Sequence, residues 1–297
     1  MRRHAFLLCA LAWCGLVIGI SARQIRAADS PAAPTTVPSE RVNTAVVPKL
    51  NPGFMARHRE FLEVAKKGDI DVLFMGDSIT DWWRSDGSQF TRGRRGPATQ
   101  PTAGGPGGAA TQPARQGRRG SQVPGAYTGK PVFDKYFGSW KVANFGIAGD
   151  TTQGVLWRLQ NGEGQGYSPK AIMLMIGTNN MGGGRNSNTP EEVAEGNAAV
   201  VAELRKDFPD AKILLLGIFP RGARATDPAR ARIKAANEGI AKLNDDQHVF
   251  YMDIGDKFLS ADGTLAPEIM SDGLHPTTKG YEIWAQTVID KLKSFLS

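Results

Sequence analysis

Residues 71–80 read DVLFMGDSIT. Four apolar residues, Val72 to Met75, are followed at once by Gly76, Asp77 and Ser78, the pattern of a buried strand emerging into a loop. Short apolar runs return downstream as KVANFG (141–146), AIMLMIG (171–177), KILLLGIF (212–219) and HVFYMDI (248–254). Segments of helical periodicity lie around and between them. FMARHREFLEVAKK (54–67) brings Phe54, Phe61, Leu62 and Val64 near helical spacing, and TTQGVLWRL (151–159) follows the second strand. TPEEVAEGNAAVVAELRKDF (189–208) lines up Val193, Val200, Val201, Leu204 and Phe208, and DPARARIKAANEGIAKLND (227–245) lines up Ile233, Ala236, Ile240 and Leu243. The last helix, over 277–296, carries Tyr281, Trp284, Val288, Leu292 and Phe295 on one side. Apolar strands alternating with amphipathic helices predict a doubly wound, flavodoxin-like three-layer α/β/α sandwich. Its five-stranded sheet is parallel and joined by right-handed crossovers.

The 297 residues, 41% hydrophobic, suit one large core. Residues 1–28 read as a signal peptide for export to the periplasm or the exterior: the basic MRRH, the apolar AFLLCALAWCGLVIGI, then Ala22, Ala27 or Ala28 as cleavage points. An uncleaved N-terminal anchor is the alternative, although the apolar run is short for a membrane span. Cys9 and Cys14 both fall inside this segment, so the mature chain has no disulfide, thiol nucleophile or cysteine metal site. With four histidines dispersed at 4, 58, 248 and 275, neither a metal nor another cofactor is expected. Residues 29–50, rich in Ala, Pro and Thr, read as a disordered linker, and the remaining domain spans 51–297. It is interrupted at about 85–130 by a low-complexity insertion rich in Gly, Arg and Pro.

The formal charge of +7 does not describe the folded part. Residues 1–28 hold four Arg, and residues 91–130 hold six Arg and one Lys, neither with an acid, so the remainder stands at −4. No nucleic-acid partner is expected, and only the basic insertion offers a route to an anionic glycan or RNA. After cleavage no stable membrane span is expected, and the sequence leaves the oligomeric state open.

On a parallel sheet the loops after the strands share one edge. Those loops carry Gly76-Asp77-Ser78, Gly146 to Thr152, Gly177-Thr178-Asn179-Asn180 and Ser271-Asp272-Gly273-Leu274-His275. Acyl transfer needs such residues. A serine hydroxyl becomes nucleophilic when an imidazole takes its proton, and the imidazole is oriented by an acid on its other nitrogen. Asp272 and His275, three apart on a turn, can supply that pair for Ser78. The backbone N–H groups of Ser78 and Gly149 and the Asn179 amide can converge on an oxyanion. Asp77, Trp82, Asp150 and Asn180 are candidates for lining the substrate pocket or supporting these groups, and Arg158 and Arg221 for structural ion pairs. Of Trp82 and Trp83, one is expected in the core and the other against substrate.

The blocks GDSIT (76–80), NFGIAGDTTQGVLWRLQNGE (144–163), IGTNN (176–180) and DGLHPTTKGY (272–281) resemble the four signature blocks of the SGNH (GDSL) hydrolase superfamily. The last three are similar to those of the platelet-activating-factor acetylhydrolase catalytic subunits and their bacterial relatives. The serine does not sit in a G-x-S-x-G elbow. The resemblance spans roughly 70–80 and 130–297 and implies the SGNH hydrolase fold. It further implies Ser78 as nucleophile, Gly149 and Asn179 as oxyanion donors, Asp272 as orienter and His275 as base. The function so implied is a secreted serine esterase acting on short, chiefly acetyl, esters through an acyl-enzyme. The substrate is a small-molecule or glycan acyl ester, and a carbohydrate O-acetylesterase is the alternative. The rival from another class is a non-catalytic glycan- or nucleic-acid-binding protein on the same fold.

Overall fold

The computed structural model describes residues 41–87, 126–182 and 187–297, and its compact unit spans Val42–Ser297. The expected signal peptide and most of the expected insertion lie outside the described residues. Five strands, β1 (Val72–Gly76), β2 (Val142–Asn144), β3 (Ala171–Met175), β4 (Lys212–Leu216) and β5 (Val249–Met252), form one parallel sheet in the order β2-β1-β3-β4-β5. In register, Val72 faces Val142 on one side and Ala171 on the other, Ala171 faces Lys212, and Ile213 faces Val249. The chain turns back across itself at β1, so β1 and β3 flank the switch point where such sheets bind ligands.

Alternation along each strand feeds two cores. Leu73, Met75, Ile172, Leu174, Ile213 and Leu215 pack on one face under four helices: α1 (Met55–Lys66), α4 (Thr152–Arg158), α5 (Pro190–Asp207) and α6 (Pro228–Ile240). Val72, Phe74, Met173, Met175, Leu214 and Leu216 pack on the other face under α2 (Ser78–Asp81), α3 (Lys130–Phe137) and α7 (Thr278–Leu296). Trp83 is wholly buried there against Phe74, Phe137, Tyr281 and Trp284. Helix α5 opens on a capping box between Thr189 and Glu192 with Pro190 in its first turn, and α7 opens on Thr277, whose hydroxyl accepts from Gly280 N–H. Among the described residues no helix is long and apolar enough to cross a membrane.

Three features depart from the sequence reading. Residues 130–137, KPVFDKYF, fall outside the elements that the sequence predicts, yet form α3: Pro131 suits a first helical turn, and Val132 and Phe137 bury against the second core. Within the expected linker, residues 43–49 are tied to the domain at Ala45 and Lys49. Asn43 caps a 3-10 turn over Thr44–Val46, Ala45 is buried, Thr152 Oγ1 donates to Ala45 O at 2.8 Å, and Lys49 N–H reaches Gln153 O at 3.0 Å. A polar, Pro-rich composition carries no sign of such distant partners. On α1 the inward face is His58, Phe61 and Ala65, and Val64 points outward.

The expected insertion is closed at its base. Gly87 N–H donates to Ser85 Oγ at 3.0 Å, and Lys130 N–H to Ser85 O at 3.0 Å. Ala126 forms an antiparallel bridge with Thr277, and Thr278 Oγ1 donates to Thr128 O at 3.0 Å. A Cβ added to Gly87 would meet Thr128 Oγ1 at 2.6 Å and Ala126 O at 3.7 Å, so both ends of the segment meet beside α7.

Candidate active site

Strand β1 ends at Gly76, where any Cβ would collide with the Met175 carbonyl and the Thr80 hydroxyl. Only glycine lets the chain turn there into α2. Asp77, not Ser78, is the N-cap: its Oδ1 accepts from Ile79 N–H at 3.0 Å. Ser78 thus occupies the first helical position, 6% exposed, with its hydroxyl 2.9 Å from His275 Nε2. The other ring nitrogen, Nδ1, lies 2.7 Å from Asp272 Oδ2. The carboxylate fixes the proton on Nδ1 and leaves Nε2 to accept from the serine.

Asp272 also builds the turn that presents His275. Its Oδ1 accepts from the backbone N–H groups of Leu274 at 3.0 Å and His275 at 2.8 Å. Partial burial works against ionisation of Asp272, but the His275 hydrogen bond and charge and these two N–H groups outweigh it. They bring the carboxyl down to about 2. Asp77 goes the other way: complete burial, with the charges of Asp150 and Asp81 nearby, raises it to about 7 against the Ile79 hydrogen bond.

The loop after β2 is stitched to the loop after β1. Ile147 N–H donates to Gly76 O at 3.2 Å, Ala148 N–H to Asp81 Oδ2 at 3.3 Å, and Asn144 Nδ2 to Thr80 O at 2.8 Å. Gly149 sits exposed on this loop in the left-handed region, φ +86°. The loop after β3 joins it through Asn179, whose Nδ2 donates to Asp150 O at 2.8 Å, leaving its second N–H for a ligand. Asn180 is buried and structural: it accepts from Thr152 N–H at 3.1 Å and donates to Gln153 Oε1 at 2.8 Å and Asn188 Oδ1 at 3.1 Å.

Trp82 is the half-buried tryptophan of its pair, its ring 4.1 Å from His275. Tyr127, absent from the sequence reading, completes this wall. Its ring is 5.0 Å from Trp82 and 5.8 Å from His275, and its backbone holds φ +59°, a conformation bulky side chains avoid. The only sign of it was its being the single aromatic residue between 91 and 130. Arg158 is ion-paired as expected, with Asp150 and with Glu163. Glu163 and His58, 105 residues apart, carry no sequence sign of pairing. His58 is buried with Nδ1 2.7 Å from Glu163 Oε1. Arg221 has no ion pair among the described residues. No three His, Cys, Asp or Glu side chains among the described residues gather to hold a metal.

The structure thus brings Ser78, His275 and Asp272 into a continuous relay, with Gly149 and Asn179 on adjoining loops. Residues 74–283 match the model of the GDSL-like lipase/acylhydrolase family. The chain is 39% identical over 232 residues to the platelet-activating factor acetylhydrolase IB subunit alpha2 of Rattus norvegicus, covering 77% of this chain and 78% of that protein. It is 38% identical to the Homo sapiens subunit over the same shares. Its fold is similar to a GDSL-like lipase from Bacteroides thetaiotaomicron, with a TM-score of 0.53 at 16% identity over 80% of this chain and 98% of that one. It is also similar to an acetyl-xylooligosaccharide esterase from Geobacillus, with a TM-score of 0.51 at 20% identity over 76% and 96%.

Proposed function

Because this chain belongs to the GDSL-like lipase/acylhydrolase family and is an ester hydrolase, we propose that it is an exported serine esterase removing short acyl groups, acetyl foremost. The observation that carries this reading is the relay Ser78 Oγ, His275 Nε2, His275 Nδ1, Asp272 Oδ2, with links of 2.9 and 2.7 Å. In the first step His275 Nε2 takes the Ser78 proton as Oγ adds to the ester carbonyl carbon. The carbonyl π pair moves to oxygen, where the N–H groups of Ser78 and Gly149 and the Asn179 amide receive it. The carbon–oxygen bond to the alcohol then breaks, His275 hands its proton to that oxygen, and acyl-Ser78 remains. A water deprotonated by the same imidazole attacks the acyl carbon, the acyl carbon–Oγ bond breaks as the imidazolium returns its proton to Ser78, and the carboxylic acid leaves. Asp272 keeps the ring in the required tautomer and stabilises the imidazolium.

Preference for acetyl is supported by the acetylhydrolase relatives. Export is supported by the sequence of residues 1–28. A second reading, de-O-acetylation of a glycan, is favoured by Trp82 and Tyr127, aromatic rings beside the imidazole that serves the departing alcohol. The test is hydrolysis of p-nitrophenyl acetate, butyrate and octanoate by the purified protein and by Ser78→Ala, followed by acetylxylan against an acetylphospholipid. Serine-dependent turnover falling from acetate to octanoate is expected. Equal or faster turnover of octanoate would overturn the short-chain reading, and turnover surviving in Ser78→Ala would overturn the nucleophile assignment.

A further inference from the structure

His58, Glu163, Arg158 and Asp150 form a chain of ionisable side chains in the interior, exposed by 4%, 0%, 1% and 1%. Each buried ion costs several kcal/mol in desolvation, and apolar replacements of similar volume are often as stable. Stability alone is therefore a weak reason for the arrangement. Its inner end gives a better one. Both Nε and an Nη of Arg158 donate to Asp150 Oδ2, at 3.0 and 2.8 Å, a two-pronged grip that fixes the carboxylate's position. The guanidinium is itself held by Glu163 and by Phe145 O at 3.1 Å. Gly162, at φ +106°, turns the chain after α4 so that Glu163 comes back into the interior.

Asp150 in turn contacts the loop at four places. Its Oδ1 accepts from Thr151 N–H at 2.8 Å, and its own N–H donates to Ile147 O at 3.1 Å. Its carbonyl accepts from Asn179 Nδ2 at 2.8 Å, and its peptide nitrogen is bonded to the carbonyl carbon of Gly149. Gly149 has no side chain to anchor it, and a Cβ there would touch only Phe54, at 3.9 Å. The Gly149 N–H, which lies in the peptide shared with Ala148, therefore takes its direction from the residues on either side: Ala148, tied through its own N–H to Asp81 Oδ2, and Asp150. One gripped residue thus adjoins both Gly149 and Asn179.

We propose that Arg158 is a positioning residue for the oxyanion site, acting through Asp150 on the Gly149 N–H and the Asn179 amide together. This rests on the reading of those two groups as oxyanion donors. Arg158 touches no substrate. Its effect belongs to the tetrahedral stage, so it enters kcat and not KM. The test measures kcat and KM on p-nitrophenyl acetate and inhibition by a trifluoromethyl ketone, to whose carbonyl Ser78 adds to leave an oxyanion. The proteins are Arg158→Lys, the isosteric Asp150→Asn, Asn179→Ala, and each of the first two combined with the third.

Arg158→Lys is expected to lower kcat roughly 10- to 100-fold and to weaken the ketone by a similar factor, with KM within about twofold. In the Asn179→Ala background the loss from Arg158→Lys shrinks, because one of the two donors it serves is already gone. If Arg158→Lys does not fold, Asp150→Asn carries the same expectation. Folded variants with unchanged kcat and ketone affinity, or losses undiminished in the Asn179→Ala background, overturn the inference. If Asn179→Ala itself leaves both readouts unchanged, the oxyanion reading falls and this inference with it. A loss in Asn179→Ala beside silent Arg158→Lys and Asp150→Asn removes the positioning role alone.

Discussion

Replacing Asp77 by Asn should stabilise the protein, and by an amount that grows with pH. Asp77 is 1% exposed, and its carboxyl is raised from 3.8 to about 7 by burial, with Asp150 and Asp81 adding to the effect. In the unfolded chain it ionises near 3.8, so between these values the folded protein holds a proton that the unfolded chain has released. Stability is accordingly greatest below the unfolded value, falls as pH rises from 3.8, and stays diminished above 7. The cost of the native carboxylate is roughly 1.5 kcal/mol at pH 5 and roughly 4 kcal/mol at pH 8. Asparagine keeps the cap, because its Oδ1 can still accept the Ile79 N–H now held at 3.0 Å, and it never ionises. Urea denaturation of both proteins at pH 5 and pH 8 reads this effect, since titrating groups not coupled to Asp77 cancel in the comparison. The Asp77→Asn advantage should be roughly 2.5 kcal/mol larger at pH 8 than at pH 5. An advantage of equal size at the two pH values would refute the reasoning, and one that shrank would reverse its sign.

Three further outcomes follow from the same geometry. His275→Ala should lower kcat by roughly 10⁴-fold or more and Asp272→Ala by less, because Trp82, 4.1 Å from the imidazole, also holds the ring; a larger loss in Asp272→Ala would reject this. Asp272, brought down to about 2, lends stability that is present above about 4 and lost as pH falls through 2. With its side chain 37% exposed, this amounts to no more than roughly 1 kcal/mol, read as the change in the Asp272→Asn difference between pH 5 and pH 2. Tyr281→Phe removes a buried hydroxyl that donates to Ile79 O at 2.8 Å, and should cost roughly 1–2 kcal/mol in urea denaturation; an unchanged midpoint would show that α2 does not need that tie.

What the sequence discloses here is what short-range patterning can encode. Strands β1, β3 and β4 read as strands because both of their faces are buried, and α5 and α7 because their apolar residues recur at helical spacing along a single stripe. The grouping of Ser78, Asp272 and His275 was legible because strand ends of a parallel sheet share an edge, whatever the distance along the chain. Partnerships without local periodicity were not legible. His58 meets Glu163 across 105 residues, and Asn43 meets Glu195 across 152. Composition could not separate Trp82 from Trp83. Only the packing of Phe137, Tyr281 and Trp284 decides which ring is enclosed.

The closed base between Gly87 and Ala126 bears on how this protein can change over generations. Because the two ends are fastened to each other and to α7 by local contacts, the sheet and its strand register do not depend on what is spliced between them. Duplication, deletion or exchange of the coding sequence between these two ends is therefore expected to leave the strand register of the domain intact. Tyr127 lies one residue past the Ala126 end, with its ring beside the imidazole. An exchange that altered ester preference would have Tyr127, 5.8 Å from the imidazole, as its nearest described route to the site.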